Sequence, residues 1–474
     1  MKVQCTVAGR PWDVPAKEVP SPTGRVMALP DVGEADVAGI LRATSDNPLA
    51  EVRTDDVIAF LHNVGKNWKS PEYARRRLYV RNLCTYLGYS ARNAEHQADW
   101  IAMYLCSHFR MHSQLHAELG DRYALDRWVP NGEAEIRAFP RGRVAHVLAG
   151  NLPEVSLVSL LRGLLTRNVN LVKLPTGDPL TASALAASFA DVDAEHPVSR
   201  AVSVLWWSNP QGVGASLVGS MDAVCAWGGA EAMDWVASAV TAETEVLWFG
   251  PRQSAALVDT SADPVLAAQR LAHDVGLHDQ RGCFSSRRAF VVGDVHEFAT
   301  LVARALAEFE GVLPLGAESL DEQAARSLAL LEAGFAGDRV VTADPTCWAV
   351  VVGAPRAPAS AHPGGRVVFL HPVADLREGI AALEPPVQTI AVHPYDLAAR
   401  LRDDIARAGA SRVVELGLSN LFRTGAAHDG VFPLARLVRF VSCELPASAH
   451  VSGITMTVDQ TKFLAEHMLP ELIP

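Results

Sequence analysis

Between residues 143 and 408, short apolar runs alternate with stretches of helical spacing, and this alternation is the strongest constraint on the chain. The run Arg143-Val-Ala-His-Val-Leu-Ala149 predicts a strand, followed by a helix over 153–165 and a strand over 169–173. A helix over 179–189, a strand over 202–207, a helix from Val213 and a strand over 222–227 continue the series. After Gly250 it resumes with a strand over 255–259, a helix over 264–275, a strand over 289–292 and a helix over 295–309. A last section predicts a strand over 367–370, a helix over 374–383, a strand over 387–392 and a helix over 395–408. Strands separated by helices pair through crossovers, and strands apolar on both sides need cover on both faces. The expected class is therefore α/β, built on parallel sheet.

The rest of the chain is less regular. Its 474 residues suggest about three domains at ~150 residues each, or two large ones with an appendage. The first 120 residues read as helical after a short extended start. Ser70-Pro71-Glu72 has the residues of a helix start, and Tyr79, Leu83 and Leu87 recur at helical spacing before Gly88. Trp100, Tyr104 and His108, with Ile101, Leu105 and Phe109, predict a second apolar helix face. The runs Glu133-Ala-Glu-Ile-Arg-Ala-Phe139 and Arg143 onward, separated by Pro140-Arg141-Gly142, predict a hairpin leading into a buried strand. Residues 353–365, rich in proline and glycine, read as a surface loop.

Composition removes several classes of function. Apolar residues at 49% and charged residues at 20% exclude disorder for most of the chain. A net charge of −11, with both signs mixed along the sequence, provides no basic stripe for a nucleic acid. The seven cysteines are scattered, with no CxxC or Cys/His pair at metal spacing, which predicts reduced thiols and no metal site. The N-terminus lacks the apolar core of a signal peptide, and no run approaches the ~20 apolar residues of a membrane helix. A soluble, cytoplasmic protein is expected.

Chemistry has few landmarks. The nearest approach to GxGxxG is Gly212-Val-Gly214 with a misplaced Gly219, and no GxxxxGK[ST] is present. A nucleotide would therefore need helix N-termini after parallel strands. The turns Gly150-Asn151-Leu152-Pro153 and Gly228-Gly229-Ala230-Glu231 meet that requirement, and they are also ordinary turn sequences. Cys283 stands out among the cysteines because it lies in a polar loop, Asp279-Gln280-Arg281-Gly282-Cys283-Phe284-Ser285-Ser286, while the other six lie in apolar stretches. Such a loop suits a nucleophilic thiol, though the residues alone favour an inert one.

Four stretches in fixed order resemble one family. Arg137-Ala-Phe-Pro-Arg-Gly-Arg-Val-Ala-His-Val-Leu-Ala-Gly-Asn151-Leu-Pro153, then Lys173 and Asp178-Pro179-Leu-Thr181, then Asp279-Gln280-x-x-Cys283, then His428-Asp429-Gly430 resemble the LuxC-type acyl-CoA reductases of the aldehyde dehydrogenase superfamily. The likeness runs from about residue 137 to 440. It implies a Rossmann-type cofactor domain (143–250) with an N-terminal helical part (1–125), an oligomerisation hairpin (126–142), an α/β catalytic domain (251–440) and a C-terminal strand and tail (441–474). It also implies that Cys283 attacks an acyl carbonyl while the Asn151 amide and the Cys283 N–H hold the oxyanion. Lys173 would approach the adenosine ribose of a nicotinamide cofactor. Gly228 and Gly229 would lie near its pyrophosphate.

The departures carry information too. Where the oxidising relatives place an acid for the ribose hydroxyl this chain has Thr176, which favours NADPH over NADH. Where they place a water-activating glutamate it has Trp248, in the cofactor region, which cannot take a proton. The resemblance thus implies reduction of a fatty acyl thioester, from coenzyme A or an acyl-carrier protein, to the aldehyde through an acyl-cysteine. Gln280 and Ser285 are expected to orient the loop, and His428 and Asp429 to line the site. His273 and His278 are the nearest candidates in sequence for the base. Two alternatives stay open: an acyl hydrolase or acyltransferase using the same cysteine, and a non-catalytic scaffold. A homodimer is expected, joined through the hairpin near 126–137 and a strand near 450–458. Arg281, Arg287 and Arg288 could form a basic patch for an acidic carrier.

Overall fold

The computed structural model describes residues 1–132, 134–354 and 362–444. The chain opens with β1 (Thr6–Val7), β2 (Arg10–Pro11) and the antiparallel pair β3 (Ala16–Pro20) and β4 (Val26–Pro30). Helices α1 (Glu34–Ala43), α2 (Thr54–Lys69), α3 (Ala74–Leu87), α4 (Ala91–Cys106) and α5 (His108–Leu119) follow. The helix expected at Ser70 starts instead at Ala74, because Ser70 ends α2 and its hydroxyl is spent on a local turn with Glu72. Trp100 and Tyr104 are buried as expected. The chain breaks at Ser107, however, so Phe109 falls on a new helix and is 84% exposed.

The first alternating unit comprises β5 (Val129–Asn131), β6 (Ala134–Pro140), β7 (Arg143–Val147), α6 (Pro153–Leu165), β8 (Val169–Lys173), α7 (Thr181–Asp193), α8 (Pro197–Arg200), β9 (Val202–Leu205), α9 (Ala215–Val218), β10 (Ala223–Trp227), α10 (Ala230–Ala239) and β11 (Glu245–Phe249). Its sheet runs β11-β10-β7-β8-β9-β1-β2, with β7 to β11 parallel. Every residue of β9 and β10 is buried, the mark of a sheet covered on both faces. The second unit comprises β12 (Gln253–Asp259), α11 (Pro264–Gly276), β13 (Ser286–Val292), α12 (Val295–Val312), α13 (Leu320–Phe335), β14 (Arg339–Val341), β15 (Ala349–Val352), β16 (Val367–Pro372), α14 (Leu376–Ala381), β17 (Val387–His393), α15 (Ala398–Arg407) and β18 (Arg412–Glu415). Its sheet runs β14-β15-β16-β13-β12-β17-β18, parallel except at β14.

The chain ends its described part with α16 (Pro433–Arg436) and β19 (Val438–Glu444). β19 pairs antiparallel with β6 along its whole length, giving a third sheet β19-β6-β5. The expected hairpin across Pro140-Arg141-Gly142 therefore does not form: β6 pairs with β5 and β19, while β7 enters the first parallel sheet. Its core face explains the split, since β7 is buried at four of its five residues and β6 at one of seven. The strand expected near 450–458 lies outside the described residues. Among those described, no helix is long and apolar enough to cross a membrane.

In the first sheet the chain moves from β7 to β8 and β9 on one side, then to β10 and β11 on the other. Crossovers leaving adjacent strands in opposite directions open a crevice beyond their carboxyl ends, which is where ligands bind in such sheets.

Candidate active site

A cleft of about 530 Å³ occupies that crevice. The segments after β7 (Leu148 to Leu152), β10 (Gly228, Gly229) and β11 (Gly250 to Arg252) form one wall, and residues 281–284 with Arg287 form the facing wall. The second sheet thus turns the amino ends of β12 and β13 toward the carboxyl ends of the first. Of the residues singled out in sequence, Asn151, Gly228, Gly229, Cys283 and His428 meet in this cleft.

The cysteine loop is held in a costly conformation. His278, Asp279 and Gln280 have φ of 58°, 54° and 59°, three consecutive left-handed residues that are not glycine. Each such residue costs about 1–3 kcal/mol and persists only where its surroundings dictate it. Gln280 donates to the carbonyls of Ser286 (2.9 Å) and Val367 (2.8 Å). Asp279 accepts from Asn93 of α4 (3.0 Å) and pairs with Arg366 (2.6 Å). Gln280 and Asp279 therefore support the loop from behind and do not reach the cleft. Ser285 is buried one turn below, its N–H on the Gly282 carbonyl (3.1 Å).

Cys283 emerges from this loop half-buried. Ser254 of β12 donates to its carbonyl (2.7 Å). Its sulfur accepts a hydrogen bond from Gln388 Nε2 on β17 (3.1 Å). The same nitrogen donates to Asp429 Oδ1 (2.7 Å), and Asp429 Oδ2 pairs with Arg252 Nε (3.2 Å). Burial, then the Asp429 charge, push the thiol up to about 11, and the Gln388 bond pulls the other way. Neither histidine near in sequence touches the sulfur. His278 faces Gln97 (3.2 Å) and is driven down to about 3 by burial, while His273 lies beside Asp274 (3.9 Å).

Gln388 was missed in sequence. The signal available was a glutamine followed by a threonine inside an otherwise apolar strand, since buried polar groups need partners. Its aim comes from a bulge: the β12 register slips between Ser254 and Ala255 against β13 and between Gln253 and Ala255 against β17.

Asn151 follows β7, and its Nδ2 donates to the Arg281 carbonyl (2.8 Å), which ties the two walls together. An amide nitrogen carries two hydrogens, so one donor remains for a ligand. Behind it Gly150 packs so closely that a Cβ would lie 2.8 Å from Gly177 Cα. This contact carries the loop holding Lys173 and Thr176, which adjoin the cleft without lining it. Lys173 ends β8; its ammonium makes no hydrogen bond among the described residues, and burial lowers its pKa. Thr176 is exposed and accepts from Trp206 Nε1 (3.4 Å). Asp178 is not a substitute ribose acid, because both its oxygens cap α7 through Leu180 and Thr181. Gly229 is the N-cap of α10, and a side chain there would meet nothing within 4 Å.

Two expectations need correction. Trp248 is 42% exposed on the outer face of β11, and alternation puts its neighbour Phe249 in the cleft instead. Arg281 and Arg288 do not form a free basic patch, being paired with Glu322 (3.6 Å) and Glu384 (3.5 Å).

The far end of the cleft is polar. His428 stacks on Phe422 (4.5 Å between centroids), and its Nδ1 accepts a hydrogen bond from Arg162 Nη2 (3.1 Å). Burial, then the Arg162 charge, hold it well below its usual range, so it is neutral. Asp429, with φ 52°, stands behind it against Gln388 rather than in the cleft. Glu154 accepts from Tyr104 (2.6 Å), and burial lifts it above the usual carboxylate range.

A doubly wound sheet and a second parallel sheet that close on a strained cysteine loop define the aldehyde dehydrogenase class of fold. Solved structures agree: the chain superposes on an oxidoreductase from Marinobacter aquaeolei with TM-score 0.73, 16% identity and coverage of 93% and 98% of the two chains. NADP-dependent glyceraldehyde-3-phosphate dehydrogenase from Bacillus halodurans, complexed with NADP, gives 0.72 at 14% identity over 94% and 100%. Within that class, residues 49–440 match the family of acyl-CoA reductases (LuxC), and the chain belongs to it. The long-chain acyl-protein thioester reductase of Vibrio harveyi is 40% identical over 90% of each chain. That of Photobacterium leiognathi, numbered 2, is 36% identical over 94% of this chain and 93% of its own.

Proposed function

We propose that this protein reduces a fatty acyl thioester to the aldehyde, with NADPH, through an acyl group carried on Cys283. The observation that carries the reading is the meeting of Cys283 and the spare Asn151 N–H in one cleft at the sheet switch point. Cys283, as thiolate, attacks the thioester carbon, and the donor's C–S bond breaks with its electron pair on the departing sulfur. NADPH, when bound, would supply the hydride that the acyl carbon accepts. Asn151 Nδ2 and the Cys283 backbone N–H hold the oxyanion that results, and its collapse returns the C–S electron pair to Cys283 and frees the aldehyde. One thioester, one hydride and one proton thus become one aldehyde and one free thiol.

The residues present suit the cofactor. The Lys173 ammonium, without a partner among the described residues, and the uncapped first-turn amides of α10 beyond Gly228 and Gly229 offer positive groups to its anionic half. Thr176, in place of an acid, leaves room for a 2′-phosphate. The names of the relatives favour a protein-bound acyl donor over acyl-coenzyme A. Mixing the pure protein with NADPH and acyl-coenzyme A or acyl-protein of several chain lengths, while following reduced-cofactor absorbance and trapping aldehyde, tests the reading. Aldehyde should match NADPH consumed. Release of the donor thiol without cofactor oxidation would replace it with acyl transfer or hydrolysis.

A further inference from the structure

We infer that Gln388 is a catalytic residue, its amide N–H holding the Cys283 sulfur in its anionic form, and that Asp429, anchored by Arg252, is the positioning residue that turns this amide toward the thiol. The inference rests on the reading of Cys283 as the nucleophile.

The geometry singles out this amide. Both hydrogens of Gln388 Nε2 are committed, one to Cys283 Sγ at 3.1 Å and one to Asp429 Oδ1 at 2.7 Å. Its Oε1 is buried without a partner among the described residues. A glutamine that only filled space would turn its oxygen to a donor, since leaving it unmatched is costly. The opposite orientation would set that oxygen against the Asp429 carboxylate, acceptor against acceptor, so Asp429 decides which end of the amide faces the sulfur. Arg252 in turn fixes Asp429 (3.2 Å). The side chain reaches this place because Ser254 of β12 stands opposite the bulge that contains Gln388 and Thr389. No histidine or other base touches the sulfur among the described residues.

A hydrogen bond to a charged acceptor is roughly twice as strong as one to a neutral acceptor. The Gln388 bond therefore favours the two states in which Sγ carries charge: the attacking thiolate, and the thiolate expelled when the C–S electron pair returns to sulfur. It favours the neutral acyl-enzyme between them less, which is the differential binding that accelerates both steps. The other charged groups around the sulfur are Arg287 on β13, Arg412 on β18 and Asp429 itself, two cations and one anion. Asp429 works against ionisation, and the amide it orients offsets that cost.

The test is the rate at which iodoacetamide alkylates Cys283, read on its own peptide by mass spectrometry between pH 7 and 9.5. For the native enzyme the rate should rise about tenfold per pH unit, as for a thiol that titrates above the range. Gln388→Met keeps the volume and removes the donor. It should alkylate about tenfold more slowly at every pH with the same slope, and lower kcat for reduction with little change in KM. Gln388→Glu, with an acceptor in place of the donor, should be slower still and serves if the methionine variant does not fold. Native alkylation rates in folded variants would overturn the inference, because a structural contact would not move the pH profile. Slowed alkylation together with no aldehyde from any donor by the native protein would uphold the role of Gln388 and overturn the reductase reading.

Discussion

Arg366→Met tests whether the cysteine loop is held by charge from behind. Arg366 is 1% exposed and lies between Asp279 (2.6 Å) and Glu310 (2.5 Å). Asp279 is the middle residue of the left-handed triplet that carries Cys283 forward. At an effective dielectric of about 20, one such contact is worth ~4 kcal/mol of Coulomb energy, most of it offset by desolvation while the pair is intact. Removing only the cation strands the buried Asp279 carboxylate and leaves the partly exposed Glu310 without its ion pair, so the variant should lose about 3 kcal/mol or more. That is a large part of the ~5–15 kcal/mol that keeps a typical protein folded. Denaturant unfolding of the pure protein reads this loss, and alkylation of Cys283 reads the loop. Arg366→Met combined with Asp279→Asn should cost clearly less than the two changes added, because the second removes one stranded charge. An Arg366→Met protein with native stability and native Cys283 reactivity would refute the account of the loop.

Other expectations follow from the same geometry. Cys283→Ala should abolish aldehyde formation and leave thermal unfolding almost unchanged, since the sulfur has one hydrogen-bond partner among the described residues; residual activity above a few per cent would contradict its role. Asn151→Ala should lower kcat by about 10²–10³, the usual cost of one oxyanion donor, and by less if the Cys283 N–H alone suffices, which steady-state kinetics would reveal. Thr176→Glu should raise the preference for NADH over NADPH, measured as the ratio of kcat/KM for the two cofactors. Trp248→Ala should change that ratio little, because the ring lies on the outer face of β11.

Much of this fold was legible in the sequence, and the reason is local. β8 and α6 fall on the residues expected, 169–173 and 153–165, because each carries clear local signals: a proline at the first turn of α6, and Val169, Leu171 and Val172 in a short run after the helix for β8. The hairpin was misread because β6 and β7 look alike as runs of five to seven residues, and only their partners differ. The motif Asp279-Gln280-x-x-Cys283 was visible as a pattern, yet the work of its first two residues was not. They face Asn93, Arg366 and the Val367 carbonyl, which lie 186, 87 and 87 residues away.

The sequence by itself determined the α/β class, the parallel order of its strands, the thiol in the polar loop and the amide in the turn after β7. Each of these follows from residue periodicity or from chemistry at one position. The tertiary structure alone decided what surrounds that thiol. Gln388, Asp429 and Arg252 come from three separate segments, and they converge on Cys283 because β12, β13 and β17 lie side by side with their amino ends together and the segment holding Asp429 returns against them. Hydrogen bonds and buried charges act over a few ångströms of space and ignore separation along the chain, so no local pattern could have announced them.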